Sequence, residues 1–170
     1  MIKFRGTVSR GVLKKGENME IVGYGETIKT SATEIHIFKN SFNECSAGQH
    51  VGILARGIKP GIVQRGMMLA FPNSTTQTNN LEASIYMLKK EEGGRKKPIM
   101  NGYIQPLLTK TWNVDCHFTL PKDKEMLLGG DYATVNLMLK YPMVILEGDR
   151  FTSIILSLIN SKNCCLYRFF

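Results

Sequence analysis

The chain has 170 residues, of which 43% are hydrophobic and 21% are charged, values that are ordinary for a globular protein with one large domain or two small ones. Its net charge of +8 favours a polyanion as partner, nucleic acid above all. The sequence contains no apolar stretch long enough to span a bilayer and no signal-peptide pattern at its start, which argues against a membrane protein.

Cysteine and histidine spacing argues against a metal site. The three histidines are scattered, and no C-x-x-C spacing occurs among the four cysteines, which are Cys45, Cys116, Cys164 and Cys165. We therefore expect neither a zinc site nor a disulfide framework, and a reducing compartment is the simplest interpretation. Cys116 lies in an alternating segment, which predicts a small core residue rather than a nucleophile.

The first 72 residues have the pattern of short strands separated by glycine-containing turns. No segment in this half sustains the apolar period of an amphipathic helix. Several short strands at regular spacing are typical of a closed β-barrel, which we predict for residues 1–72. The expected strands are Ile2–Val8, Met19–Val22, Thr27–Phe38, Val51–Ala55 and Met67–Phe71.

A polar, uncharged stretch at residues 73–80 is expected to be a linker. Residues 81–152 then return to alternation, most clearly where Val114, Cys116 and Phe118 face one way. This half predicts a second small barrel. The fold class is therefore all-β, with two small antiparallel β-barrels in tandem.

The last residues, 153–170, change character. Ile154–Ile159 is apolar and uncharged, and the chain ends in Cys164–Phe170 without the turn residues found elsewhere. An uncovered run of this kind is an aggregation hazard. It suits either a buried strand or a poorly ordered, divergent tail, and we expect a second barrel that is incomplete at its C-terminus.

A cationic loop follows the strand expected at Leu81–Leu88. Two glycines at positions 93 and 94 end the strand, and three cations follow at once in Arg95, Lys96 and Lys97. Arginine can form a fork to phosphate oxygens, so such a loop suits an anionic backbone. The alternative is a solvated loop whose charges only aid solubility.

Several short segments resemble the second and third domains of elongation factor Tu, especially the mitochondrial form. They run in the family's order over most of the chain, and the K-E-E-G-G-R segment with the downstream T-W pair is the most specific. The segments are Arg5–Val8, Arg10–Glu17, Glu20–Gly23, Arg56–Lys59, Lys89–Arg95, Thr111–Trp112 and Glu147–Phe151.

The resemblance implies contacts with aminoacyl-tRNA. In the family, the second domain helps to hold the aminoacylated 3′ end and the 5′ end, and the third domain holds the T-stem backbone. His36 stands where the family usually has a glutamate against the terminal adenine, so stacking is retained while the hydrogen bonding of the carboxylate is lost. The implied tRNA-binding residues are Val8 and Leu54 in the adenosine pocket, His36, Arg65 at the 5′ end, and Arg95 and Lys96 at the T-stem.

Both apolar positions of that pocket also suit the core, and three T-stem positions depart from the family. Val8 and Leu54 are each at least as well explained by burial. Pro106, Asp115 and Tyr141 replace a glutamine, a threonine and a lysine of the family, and Asp115 would repel phosphate. The expected footprint of the third domain is therefore weakened.

The family's GTPase domain has no counterpart in this sequence, because no G-x-x-x-x-G-K-[ST] loop is present. We therefore expect no enzyme activity and no cofactor for this chain, although GTP and magnesium serve the full-length family. The resemblance further implies the ribosome and a nucleotide-exchange factor as partners, no membrane, and a mitochondrial location. The alternative is a non-catalytic protein-interaction module, or a degenerate gene product, without RNA binding.

Overall fold

The computed structural model describes residues 2–59, 61–154 and 164–169, and their regular structure is almost entirely β-strand. The one helical element among these residues is a single 3₁₀ turn, Lys90–Glu92. The chain divides into two compact units, Met1–Thr75 and Thr76–Phe170. The prediction of an all-β chain with two tandem units is confirmed.

The first unit contains eight described strands, all of them paired antiparallel. Five follow the order β1-β7-β4-β3-β8, β5 pairs with β4, and β2 and β6 form a separate ribbon. The strands are β1 (Ile2–Thr7), β2 (Val12–Lys14), β3 (Asn18–Gly23), β4 (Glu26–Ile37), β5 (Asn40–Phe42), β6 (Glu44–Ser46), β7 (His50–Ala55) and β8 (Met68–Ala70).

This first sheet curls into a half-barrel, so the small barrel predicted for the first unit is confirmed in its curvature but, over the residues described, not in its closure. Its hydrogen-bonded path nevertheless stays open between β1 and β8 among the described strands, because β8 is only three residues long and pairs with β3 alone. Side chains that alternate inward fill the concave side. The larger buried cluster consists of Leu13, Met19, Ala32, Ile35, Cys45, Val51 and Ile53.

The second unit also contains eight described strands. Six close into a barrel in the order β11-β12-β14-β9-β16-β15, and the two shortest pair with each other. The strands are β9 (Gln77–Tyr86), β10 (Ile99–Met100), β11 (Ile104–Thr109), β12 (Trp112–Thr119), β13 (Met126–Leu127), β14 (Tyr132–Val144), β15 (Arg150–Ile154) and β16 (Cys164–Phe169).

Closure of this barrel corrects our expectation that it would be incomplete at its C-terminus. Strand β16 lies between β15 and β9, where Tyr167 is paired with Phe151 on one side and with Ile85 on the other. Two unpaired edges would leave rows of unsatisfied backbone groups, which an inserted strand removes. The expected tail therefore contributes strand at 153–154 and 164–169, while residues 155–163 and 170 lie outside the described part.

The polar stretch 73–80, expected to be a linker, contains the boundary between the two units, after Thr75. Strand β9, however, already begins at Gln77, four residues before the strand expected from Leu81. Gln77 pairs with Val144 and Thr78 with Met143, beyond an irregular stretch of β14. Polar side chains can occupy such a strand because the ladder hydrogen bonds come from the backbone.

Strand β12 shows why the second half folds as a barrel. Its residues alternate strictly between buried and exposed, with Trp112, Val114, Cys116 and Phe118 inside, as the sequence pattern predicts. At the tip of the β11–β12 hairpin, the Lys110 ammonium lies 2.6 Å from the Asp149 carboxylate and ties the hairpin to the turn before β15.

Two findings limit the chemistry available in the described part. No helix there is long and apolar enough to cross a membrane. Likewise, no group of three or more histidine, cysteine or acidic side chains is placed to hold a metal ion among the residues described. Burial raises the pKa of the Cys116 thiol to about 12, which suits the core role predicted for it rather than nucleophilic chemistry.

Candidate nucleic-acid interface

The cationic loop, Lys89–Pro98, leaves the barrel next to a second turn that braces it. Met87, just beyond β9, donates its backbone N–H to the Asp131 carbonyl at 2.9 Å and accepts from the Gly130 N–H at 2.6 Å. The Asp131 carboxylate in turn accepts the Leu128 N–H at 2.8 Å and closes its own turn. The start of the loop is therefore fixed to the barrel by backbone hydrogen bonds.

Glu92 joins the loop to strand β9. One of its carboxylate oxygens accepts both the Lys89 N–H and the Tyr86 hydroxyl, each at 2.8 Å. The Lys89 N–H lowers the pKa of the Glu92 carboxyl, and the hydrogen bond to Glu92 raises the pKa of Tyr86 to about 12. The Tyr86 ring also stacks on Tyr132, with centroids 4.5 Å apart.

The two glycines of the loop are needed for different structural reasons. Gly93 ends the 3₁₀ turn in the left-handed region, with φ of 83°. Gly94 lies against the backbone of Leu88, where a Cβ would collide with the carbonyl group, and it donates its N–H to the Lys89 carbonyl at 2.8 Å. The pair therefore allows the loop to fold tightly onto its own first residues.

Arg95 is the first cation after this tight turn, and the loop holds it in place. Its guanidinium carbon lies 4.8 Å from the ring centroid of Tyr103, a cation–π contact. Its Nη1 atom is buried without a hydrogen-bond acceptor among the described residues. A buried donor of this kind is costly until an acceptor reaches it. Lys96 and Lys97, by contrast, are exposed to solvent.

In the first unit, a β-bulge decides which side chains of β4 face outward. The register of β4 against β7 shifts between Ala32 and Glu34, and the intervening Thr33 donates its hydroxyl to the Leu54 carbonyl at 3.0 Å. The extra residue resets the alternation, so Ile35 points to the core while Glu34 and His36 share the opposite face.

This outward face, which we call the β7 face, brings together two of the six expected site residues. Leu54 lies between Lys3 of β1 and Glu34 of β4, and Gly52 lies between Arg5 and His36. The Lys3 side chain crosses Gly52, since a Cβ added to Gly52 would come within 2.7 Å of the Lys3 Cε. A half-buried leucine, an imidazole and two cations therefore form one surface.

Glu34 was missed by the sequence interpretation and changes the expectation for His36. Its carboxylate oxygen lies 2.9 Å from His36 Nε2 on the same face. Position 36 thus lacks a carboxylate of its own, but one is present two residues earlier, directly opposite Leu54. Only knowledge of the bulge at Thr33 reveals that positions 34 and 36 lie side by side with position 54.

Val8 and Arg65 lie elsewhere in the first unit. Val8 follows β1 and packs against the larger buried cluster with Phe4, on the concave side rather than on the β7 face. Arg65 is exposed in the loop between β7 and β8, where its carbonyl accepts the Tyr24 hydroxyl at 2.8 Å. The structure therefore supports the core interpretation of Val8 and presents Arg65 to solvent.

The departures expected at the T-stem positions share the outside of the second barrel. Pro106 of β11 is paired directly with Asp115 of β12, which is exposed. Tyr141 is also exposed, and the Lys140 ammonium lies 5.5 Å from its ring centroid. A lysine therefore remains beside the position where the family's own lysine is replaced.

The two all-β units present cations on a braced loop and on an open sheet face. Residues 5–70 match the family model of elongation factor Tu domain 2, and residues 74–153 match that of the elongation factor Tu C-terminal domain. The chain is elongation factor Tu-like and carries these two domains in the family's order.

Neither matched domain supplies nucleotide chemistry. The sequence has no phosphate-binding loop of the G-x-x-x-x-G-K-[ST] type, and the described residues offer no carboxylate cluster for magnesium. The residues present therefore do not fit GTP or its metal ion.

Proposed function

We propose that this chain binds aminoacyl-tRNA, with the cationic loop on the T-stem backbone and the β7 face on the 3′-terminal adenosine. The observation that supports this most is the bracing of Arg95, which is held on the Tyr103 ring at 4.8 Å by a loop that two glycines and Glu92 keep folded. A positioned guanidinium makes a bidentate contact with phosphate at a lower ordering cost than a mobile one.

The loop provides the electrostatic part of this binding. Lys96 and Lys97 extend the charge of Arg95 into solvent, where they can neutralise neighbouring phosphates and release counterions. These contacts carry no base information, so they position the RNA without selecting its sequence. Asp115 on the same barrel opposes the approach of phosphate and limits the affinity.

The β7 face provides the contact with a base. The imidazole of His36 offers a flat ring on which an adenine can stack, and the neighbouring Leu54 side chain offers an apolar contact. The carboxylate of Glu34 supplies an acceptor for the exocyclic amine, the group that separates adenine from uracil at that edge. Arg65 is exposed in the same unit and suits the 5′ phosphate.

By extension from the family, the ribosome and a nucleotide-exchange factor are further partners, and the mitochondrion is the proposed location. Immunofluorescence with a matrix marker tests the location: separate signals would contradict it. These extensions depend on the resemblance in sequence rather than on the geometry of either unit.

The double variant Arg95→Ala/Lys96→Ala tests the role of the cationic loop. We expect the plot of log K against log salt for aminoacyl-tRNA to become shallower by about two, because two phosphate contacts are lost. Affinity at low salt should fall by about tenfold to a hundredfold. The measurement is filter binding or fluorescence anisotropy at several KCl concentrations.

Lys14→Ala/Lys15→Ala is the matched control, since it removes the same charge from the exposed end of β2 and the turn that follows it in the first unit. It should leave the salt slope nearly unchanged. If both double variants alter the slope equally, binding is a non-specific response to net charge. If wild-type protein retains no tRNA, or retains it independently of salt, the alternative of a protein-interaction module without RNA binding is favoured.

A further inference from the structure

The β4–β5 hairpin has a two-residue turn, and its amino acids are not those that this backbone conformation favours. Ile37 and Asn40 are paired, so the turn consists of Phe38 and Lys39 alone. Phe38 is 95% exposed, the most exposed of the large hydrophobic residues described. Its φ of 55° lies in the left-handed region.

Both properties of Phe38 are unfavourable for the isolated chain. Two-residue hairpins prefer glycine, asparagine or aspartate where φ is positive, and a bulky side chain there is an outlier. An aromatic ring that is almost wholly in water also gains no stability from burial. Backbone strain of this kind indicates a functional role when the fold itself does not need it.

We propose that Phe38 is a stacking platform for a base of single-stranded nucleic acid. Its ring is open to solvent at the tip of a hairpin, with Lys39 next to it in the turn. Base–aromatic stacking tolerates any base, because every base offers a π-face. Arg95 and Lys96 belong to the other unit, so this contact uses different residues from those of the cationic loop.

Charge favours nucleic acid over an apolar partner. Residues 1–75 contain ten lysines and arginines against five glutamates and no aspartate, a net charge of +5. Two of these cations, Lys3 and Arg5, lie on the β7 face together with His36, two residues before Phe38 in the same hairpin. Cations on the same sheet as an exposed aromatic ring are the combination that binds a single-stranded backbone and stacks its bases.

Phe38→Trp gives a direct optical test. The natural Trp112 is buried in the second barrel and serves as a constant background. We expect the emission of the introduced indole to be quenched by a twelve-residue oligouridylate or oligoadenylate, with wild-type affinity retained. Comparing RNA and DNA oligonucleotides of the same sequence shows whether the ring binds single-stranded RNA, single-stranded DNA or both.

Phe38→Ala and Phe38→Gly separate stacking from folding. Both should weaken oligonucleotide binding by about tenfold and leave the salt slope unchanged, because no charge is removed. The glycine variant also relieves the positive φ, so it should unfold at the same denaturant concentration as wild type or a higher one. Phe71→Ala, which removes another partly exposed ring of this unit, should not change the affinity.

Two results would overturn the proposal. One is an unquenched indole in Phe38→Trp at saturating oligonucleotide together with wild-type affinity of Phe38→Ala. The other is a change in the emission of Phe38→Trp with vesicles of phosphatidylserine and phosphatidylcholine but not with oligonucleotide, which would assign the ring to a lipid surface. Quenching that persists when Arg95→Ala/Lys96→Ala is added shows that the contact is independent of the cationic loop, and loss of quenching in that combined variant contradicts this independence.

Discussion

Gly94→Ala should weaken salt-dependent tRNA binding and lower the free energy of unfolding of the chain by about 3 kcal/mol or more. The reason is space, because a Cβ at this position collides with the backbone carbonyl of Leu88, which cannot move as a flexible side chain can. The loop must open to accept the methyl group. Arg95 then loses its position over Tyr103.

The neighbouring glycine provides a graded control. Gly93→Ala places a methyl group on a residue with φ of 83°, a conformation that costs an L-residue about 1–2 kcal/mol. Chemical denaturation and tRNA binding on both variants should therefore rank wild type above Gly93→Ala and Gly93→Ala above Gly94→Ala. Equal effects of the two variants would contradict the packing of Gly94 against Leu88.

Phe118→Ala should destabilise the protein by about 3–5 kcal/mol, the cost of removing a fully buried aromatic ring from a core. Phe118 is 0% exposed, and its strand pairs with β11 on one side and β14 on the other. Because strands flank Phe118 on both sides, the barrel can collapse only partly into the cavity that the alanine variant leaves. The measurement is equilibrium unfolding in urea.

Phe38→Ala is the control for this change, because it makes the same substitution at a site that buries almost nothing. It should alter the free energy of unfolding by no more than about 0.5 kcal/mol. Phe118→Leu, which keeps most of the volume, should cost less than about 1.5 kcal/mol. Similar losses in Phe118→Ala and Phe38→Ala would mean that the ring of Phe118 is not in a packed core.

Much of the fold follows from local pattern. Strict alternation from Val114 to Leu120 predicts both a strand and its buried face, because the side-chain period of a strand is two, and the observed strand is Trp112–Thr119. The proline at position 142 indicates an irregular strand, and β14 loses regular register between Met138 and Met143. These features depend on neighbours in sequence, so they can be predicted without the structure.

Features that depend on distant partners could not be predicted. The polar run Gln77–Asn80 has no apolar alternation, and only its pairing with β14 makes it a strand. Insertion of β16 between β9 and β15 is likewise a choice of partners that composition does not encode. An interpretation from sequence alone therefore gives the class of fold more reliably than the closure of its sheets.

The candidate site was likewise predictable only in part from local sequence. Glycines followed by three cations indicate the loop, but Tyr103 under Arg95 and Tyr86 on Glu92 are revealed only by the fold. On the β7 face, the single extra residue at Thr33 brings Glu34 beside His36 and Leu54. A bulge leaves no fixed sequence signature, so an interpretation that assumes unbroken alternation cannot place these three together.

Hydroxyl-radical footprinting of aminoacyl-tRNA with the wild-type chain tests whether both units contact the RNA. Binding by both units predicts protection of the T-stem backbone and of the 3′-terminal nucleotides in one complex, with the T-stem protection lost in Arg95→Ala/Lys96→Ala. A uniform cleavage pattern, or protection confined to other parts of the tRNA, would contradict binding by the two units.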